Sequence, residues 1–148
     1  MPESDKSILL VEDNPDDIDL TLRAFRQNRI LNRIDVAVNG PDALTFLHGQ
    51  AGGTYVNPLP EVMLLDLKLP LMDGLEVLQA VRQHPRTCHL PVVILTSSKE
   101  ERDLVSSYRL GANSYVRKPV SFHDFIEAAR GLGLYWLVWN ETIPENPS

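Results

Sequence analysis

Along this chain, short unbroken apolar runs alternate with longer stretches in which apolar residues return every three or four positions. Ser7–Val11, Glu61–Leu65 and Leu90–Leu95 are runs of the first kind. Each is bounded by turn formers and stops abruptly at a polar residue, as strands buried on both faces of a parallel sheet do. Ile34–Val38 alternates weakly and Ser114–Arg117 is short; both are read as strands. Helix signals lie between them. Asn14-Pro15-Asp16-Asp17 offers a cap, a proline suited to the first helical position and acids for the positive end of the dipole. Ile18, Leu22 and Phe25 give that helix a core face. Asn39-Gly40-Pro41 restarts a helix carrying Ala43, Leu44 and Leu47. Asp73-Gly74 opens another with Leu75, Leu78 and Val81, which stops before Pro85. The hydroxyls of Thr96-Ser97-Ser98 are suited to cap a helix carrying Leu104, Val105 and Tyr108, closed by Gly111 at the C′ position. Ser121-Phe122-His123-Asp124 reads as a capping-box start to a last helix that turns Phe122, Phe125, Ile126, Ala129 and Leu132 to the core.

Five strands thus alternate with five helices, which predicts an α/β domain with a parallel sheet covered on both faces. Gly49 to Pro60, with three glycines and two prolines, is expected to be a loop. A chain of 148 residues has room for one such core. We expect a flexible start over 1–6, the domain over 7–137 and a tail over 138–148. Apolar content of 43% and charged content of 23% are those of a soluble globular protein. Net charge of −6 and a pI near 5.1 argue against a nucleic-acid surface. No apolar segment is long enough to span a bilayer, and the start lacks a secretory signal. Cys88 is the single cysteine, so a reducing, cytoplasmic setting fits. The sequon Asn140-Glu141-Thr142 is read as chance.

The chemistry sits where the strands stop. Glu12 and Asp13 follow the first, Asp66 the third, Thr96 the fourth and Lys118 the fifth. Right-handed crossovers put these ends on one edge of the sheet. Glu12, Asp13 and Asp66 together cannot all stay ionised without a cation, and hard carboxylate oxygens suit Mg²⁺. Lys118 and Thr96 would serve the oxygens of a transferring phosphoryl group, and Asp66 is the natural nucleophile.

Val11-Glu12-Asp13-Asn14, Leu65-Asp66-Leu67-Lys68-Leu69-Pro70-Leu71-Met72-Asp73-Gly74, Leu95-Thr96-Ser97 and Tyr115-Val116-Arg117-Lys118-Pro119 stand in the order and spacing of the receiver domains of bacterial two-component response regulators. The chain resembles that family. The resemblance implies a flavodoxin-like, doubly wound fold with strand order 2-1-3-4-5, and phosphorylation of Asp66 by a sensor histidine kinase. It further implies Mg²⁺ held by Glu12, Asp13, Asp66 and the carbonyl of Lys68. Thr96 and Lys118 would bind the phosphoryl oxygens, and Thr96 and Tyr115 would move as a two-state switch. Glu12 departs from the commoner aspartate, Leu69 from methionine and Ser97 from alanine. None of these removes a needed group.

The glycine-rich loop with Tyr55 and the ending Tyr135–Pro144 are similar to the single-domain response regulators of bacterial and cyanobacterial phytochromes. That similarity implies a bacteriophytochrome kinase as partner and a homodimer as the working form. Physics points the same way for the dimer. Leu134, Tyr135, Trp136, Leu137, Val138 and Trp139 are apolar on every side of any helix, and one receiver sheet cannot bury them all.

Three other readings complete the set. A phosphorelay intermediate passing phosphate to a histidine phosphotransfer protein fits the same motifs. An aspartyl-phosphate phosphatase is disfavoured, because such enzymes carry a general-acid aspartate where Lys68 stands here. A flavin or nucleotide module lacks a phosphate-cradling glycine loop after the first strand. His84, Cys88 and His89 fall short of a zinc signature and are read as a surface loop. Lys99–Asp103 is read as a solvated helix face.

Overall fold

The computed structural model describes residues 7–27, 30, 32–49, 57–118, 123, 127 and 130. Within them the chain runs β1 (Ile8–Val11), α1 (Pro15–Gln27), β2 (Ile34–Ala37), α2 (Gly40–His48), β3 (Val62–Leu65), α3 (Gly74–Gln83), β4 (Val92–Thr96), α4 (Glu101–Arg109) and β5 (Ser114–Arg117). All five strands pair in parallel in the order β2-β1-β3-β4-β5, the expected arrangement. Every residue of β1, β3 and β4 is buried, which is why those strands read as continuous apolar runs. β2 lies at an edge and is half open, so its pattern was weaker; Val38, expected in the strand, lies beyond its end.

The chain steps one way from β1 to β2 and the other way from β2 through β5, so right-handed crossovers set α1 opposite α2, α3 and α4. Leu9, Val11, Met63, Leu65, Val92 and Ile94 meet Ala43 and Leu47 of α2 and Val77, Leu78 and Val81 of α3 in one core. Alternate strand residues face the other side, where Thr21 and Phe25 of α1 are buried. Complete burial of each large side chain stabilises the fold by about 1.5–3 kcal/mol.

Helix ends follow local chemistry. The Asn14 carboxamide accepts from the amides of Asp16 (2.8 Å) and Asp17 (3.1 Å), capping α1 as anticipated. Asp73 and Glu76 form a complete capping box on α3, both bonds at 3.0 Å. Gly74 permits a very close approach: a Cβ there would lie 2.3 Å from the Asp66 carbonyl oxygen and 2.6 Å from Leu67 Cα. Gly111 ends α4 at C′ with φ +102°, its amide on the Tyr108 carbonyl (3.1 Å) and that of Ala112 on Ser107 (2.9 Å). This is the Schellman arrangement.

Two expectations change. α4 begins at Glu101, with Glu100 at the cap position making no side-chain capping bond, so Thr96-Ser97-Ser98 do not cap it. Ser98 instead donates its hydroxyl to Asp103 Oδ2 (2.6 Å) from outside the helix. Val105 and Tyr108 point largely to solvent, and the buried residue of α4 is Ser107. The loop after α3 is also more than surface. The His84 ring stacks on His48 with centroids 3.8 Å apart, and the fully buried Thr87 donates to the Val81 carbonyl (2.7 Å). From the same loop, the Arg86 guanidinium reaches the carbonyls of Leu47 and Asn57 (2.9 Å to the latter).

Of the last helix only His123, Glu127 and Arg130 are described; they are helical and exposed. Tyr55, the apolar residues expected on that helix, and the aromatic segment Leu134–Trp139 lie outside the described residues.

Candidate functional site at the carboxyl ends of the strands

Register builds the site. Val11 pairs with Leu65, so the next residue of each strand, Glu12 and Asp66, leaves the sheet beside the other. Leu65 pairs with Ile94, which sets Thr96 two steps on, and Thr96 pairs with Arg117, which sets Lys118 one step on. The Lys118 amide then donates to the Thr96 carbonyl (2.8 Å). Four residues separated by up to 106 positions are thereby brought to one edge.

Glu12 and Asp66 are almost completely buried, at 2% and 6% exposure, while Asp13 faces solvent. One oxygen from each of the three lies within 4.8 Å of the others. The Lys118 ammonium bonds to Glu12 Oε1, to Asp66 Oδ2 at 3.0 Å and to Asp17 Oδ2 at 2.9 Å. Asp66 Oδ1 accepts from the Lys68 amide (3.3 Å), and Glu12 Oε2 from the Asn14 amide (3.2 Å). Burial pushes the Glu12 carboxyl up to about 7; the Lys118 bond opposes the rise and the Asp66 charge adds to it. Burial alone would lower the Lys118 ammonium, yet the carboxylates of Glu12, Asp17 and Asp66 hold it above its ordinary value. One ammonium cannot balance four carboxylates. The residues present fit a divalent cation, with hard oxygens, two of them buried and close together.

Thr96 and Tyr115 meet at Ser98. The Ser98 amide donates to Thr96 Oγ1 (3.3 Å) and the Ser98 carbonyl accepts from the Tyr115 hydroxyl (3.3 Å). Burial raises the Tyr115 phenol above its usual range, and the bond to Ser98 partly offsets this. Beside the acids runs an open cleft of about 530 Å³, lined by Asp13, Lys68, Pro70, Asp73 and Asp103 among others.

The chain matches the response regulator receiver domain over residues 8–130. It belongs to that family. Receiver domains accept a phosphoryl group on an aspartate and bind Mg²⁺ or Mn²⁺ at an acidic pocket, and the geometry above has that form. Among curated proteins the chain is similar to the probable methanogenesis regulatory protein FilR2 of Methanothrix harundinacea. It is 41% identical over 135 residues, which is 91% of this chain and 86% of the relative. It is likewise similar to response regulator Rcp1 of Synechocystis, 38% identical across 89% of both chains. The crystal structure of Rcp1 in its Mn²⁺-bound form superposes with a TM-score of 0.73, covering 94% of this chain and 99% of that one. The bacteriophytochrome response regulator AtBRR aligns at 50% identity with a TM-score of 0.79, over 92% of this chain and 98% of its own. The resemblance to phytochrome response regulators read from the loop and the C-terminal aromatics is matched by these neighbours.

Within this receiver, sequence reasoning missed two acids. Asp17 read as a helix-dipole residue and Asp103 as part of a solvated run; the first binds Lys118 and the second holds Ser98. No local signal distinguishes either, because each partner is fixed by tertiary structure.

Proposed function

We propose that Asp66 is the phosphoacceptor of this receiver. An Asp66 carboxylate oxygen takes the phosphoryl group from a phosphohistidine of a sensor histidine kinase of the bacteriophytochrome class. The new bond is C–O–P, the P–N bond breaks, and the histidine leaves with the electron pair. The observation that carries this reading is the set of Glu12, Asp13 and Asp66 oxygens within 4.8 Å of one another beside the Lys118 ammonium. Glu12, Asp13 and Asp66, with the Lys68 carbonyl, would hold Mg²⁺. Bound there, Mg²⁺ would supply positive charge to neutralise the transferring group.

Phosphorylation gives Asp66 about one further negative charge and three acceptor oxygens. Lys118 and Thr96 take up those oxygens. Drawing Thr96 toward the phosphoryl group pulls on Ser98, and through it on Tyr115. The signal leaves by protein contact, with a homodimer through Leu134, Tyr135, Trp136, Val138 and Trp139 as the working form. The domain spans residues 7–137.

The test is incubation with Mg²⁺ and a small phosphodonor, read on a phosphate-affinity gel. Wild type is expected to shift and Asp66→Asn is not. No shifted band in wild type, or one that persists in Asp66→Asn, refutes the assignment.

A further inference from the structure

Asp17 binds the ammonium of the site without belonging to the three acids placed to share a cation. It stands in the first turn of α1, where the Asn14 carboxamide fixes its backbone amide. Its Oδ2 lies 2.9 Å from Lys118 Nζ, and its side chain is 35% exposed where that of Lys118 is 9%. The other two partners of that ammonium, Glu12 and Asp66, both belong to the cluster of three. A bound divalent cation and the ammonium therefore draw on the same two carboxylates, and Asp17 draws on the ammonium alone.

We propose that Asp17 is a positioning residue that holds the Lys118 ammonium toward α1, leaving Glu12 and Asp66 available to the cation. The inference rests on the cation reading given above. Two positive groups competing for shared oxygens exclude one another in proportion to how tightly the resident one is held. With Asp17, the ammonium keeps a partner when it gives way. Without Asp17, surrendering both of its other bonds to the cation leaves it without an ionic partner in a nearly closed site, at the cost of a buried unpaired charge. Asp17 is open to water, so it can follow the ammonium at little desolvation cost.

The experiment is a titration of the full chain with Mn²⁺, reading free ion by electron paramagnetic resonance. It uses wild type, Asp17→Asn, Asp17→Glu, Lys118→Gln and the double variant Asp17→Asn/Lys118→Gln. Asp17→Asn is expected to weaken Mn²⁺ about tenfold, the low end of the scale of one charge-assisted hydrogen bond, because Asp17 is partly exposed. Asp17→Glu, which keeps the carboxylate, is expected to stay within about twofold of wild type, and so is Asp17→Asn relative to its parent once Lys118 is replaced by glutamine. An equal loss in both backgrounds would mean that Asp17 acts only by its general negative field, and would overturn the proposal. Unchanged affinity in Asp17→Asn would overturn it too. Wild type failing to bind Mn²⁺ at all would instead remove the cation reading on which it stands.

Discussion

Gly74→Ala is the sharpest perturbation of the link between helix packing and the acceptor residue. The added methyl would lie 2.3 Å from the Asp66 carbonyl oxygen, 2.6 Å from Leu67 Cα and 3.0 Å from the Asp66 carbonyl carbon. Ordinary contact needs about 3.5 Å between carbon atoms. All three obstructing atoms are main chain, so no rotamer change relieves the overlap, and α3 must retreat by about 1 Å. The retreat stretches the Gly74 amide bond to the Leu67 carbonyl, now 2.8 Å, and loosens Val77, Leu78 and Val81, all fully buried. Overpacking of this kind costs about 1–3 kcal/mol and the strained hydrogen bond about 1 kcal/mol more. The better helix propensity of alanine returns at most about 1 kcal/mol, and less at this first position of α3. The balance is a destabilisation of about 1–3 kcal/mol, read as a lowered urea midpoint at constant m-value. Because the wall struck is the backbone of Asp66, phosphorylation by a small donor should slow as well. A Gly74→Ala protein as stable as wild type and phosphorylated at the same rate would show that the close approach constrains nothing.

Two further outcomes are expected. Leu71 is 82% exposed with φ +73°, in a three-residue turn closed by the Met72 amide on the Pro70 carbonyl (2.7 Å). Leu71→Gly should raise stability by about 0.5–1 kcal/mol and Leu71→Ile should lower it; a thermal melt with the reverse order refutes the strain argument. Burial, with the neighbouring His84 and Arg86, lowers His48 to about 4, and its Nε2 sits 2.9 Å from the Thr87 hydroxyl. The unfolded chain therefore takes up a proton near pH 6.5 that the folded chain refuses until about 4. Stability supplied by neutral His48 is complete above pH 6.5 and declines as pH falls through that interval. After allowance for its partial exposure, the loss between about pH 7.5 and 5 is about 1–2 kcal/mol. His48→Gln should remove that share of the fall in urea midpoint, and an identical fall in both proteins would refute it.

What was legible in the sequence was whatever depends on near neighbours. β1, β3 and β4 announce themselves because both faces are covered, so every position carries the same message. Asn14, Asp73 and Gly111 were readable because a cap bonds within its own turn. The site was legible through one further regularity: parallel strands all deliver their last residues to one edge. α4 failed for a physical reason. It spans an edge of the sheet where Ser107, a small residue, fills the contact, and its larger apolar residues, Val105 and Tyr108, lie outward. Periodicity marks a stripe of apolar residues but does not say which stripe the sheet receives. Asp17 and Lys118, 101 positions apart, and His48 and Thr87, 39 apart, pair through polar atoms whose meeting only the assembled fold decides.

Arg86 grips the carbonyls of Leu47 and Asn57, one on either side of the segment that joins α2 to the approach of β3. Its two ends are anchored by one guanidinium fixed in the loop after α3, where the Arg86 amide also rests on His84 Nδ1 at 3.0 Å. The distance that the intervening chain must bridge is thus set independently of its own sequence or length. With the closure fixed, doubling that length costs only about 0.6 kcal/mol of chain entropy. A longer or differently charged sequence between Gly49 and Asn57 is therefore expected to leave the sheet, and the strand that delivers Asp66, in register.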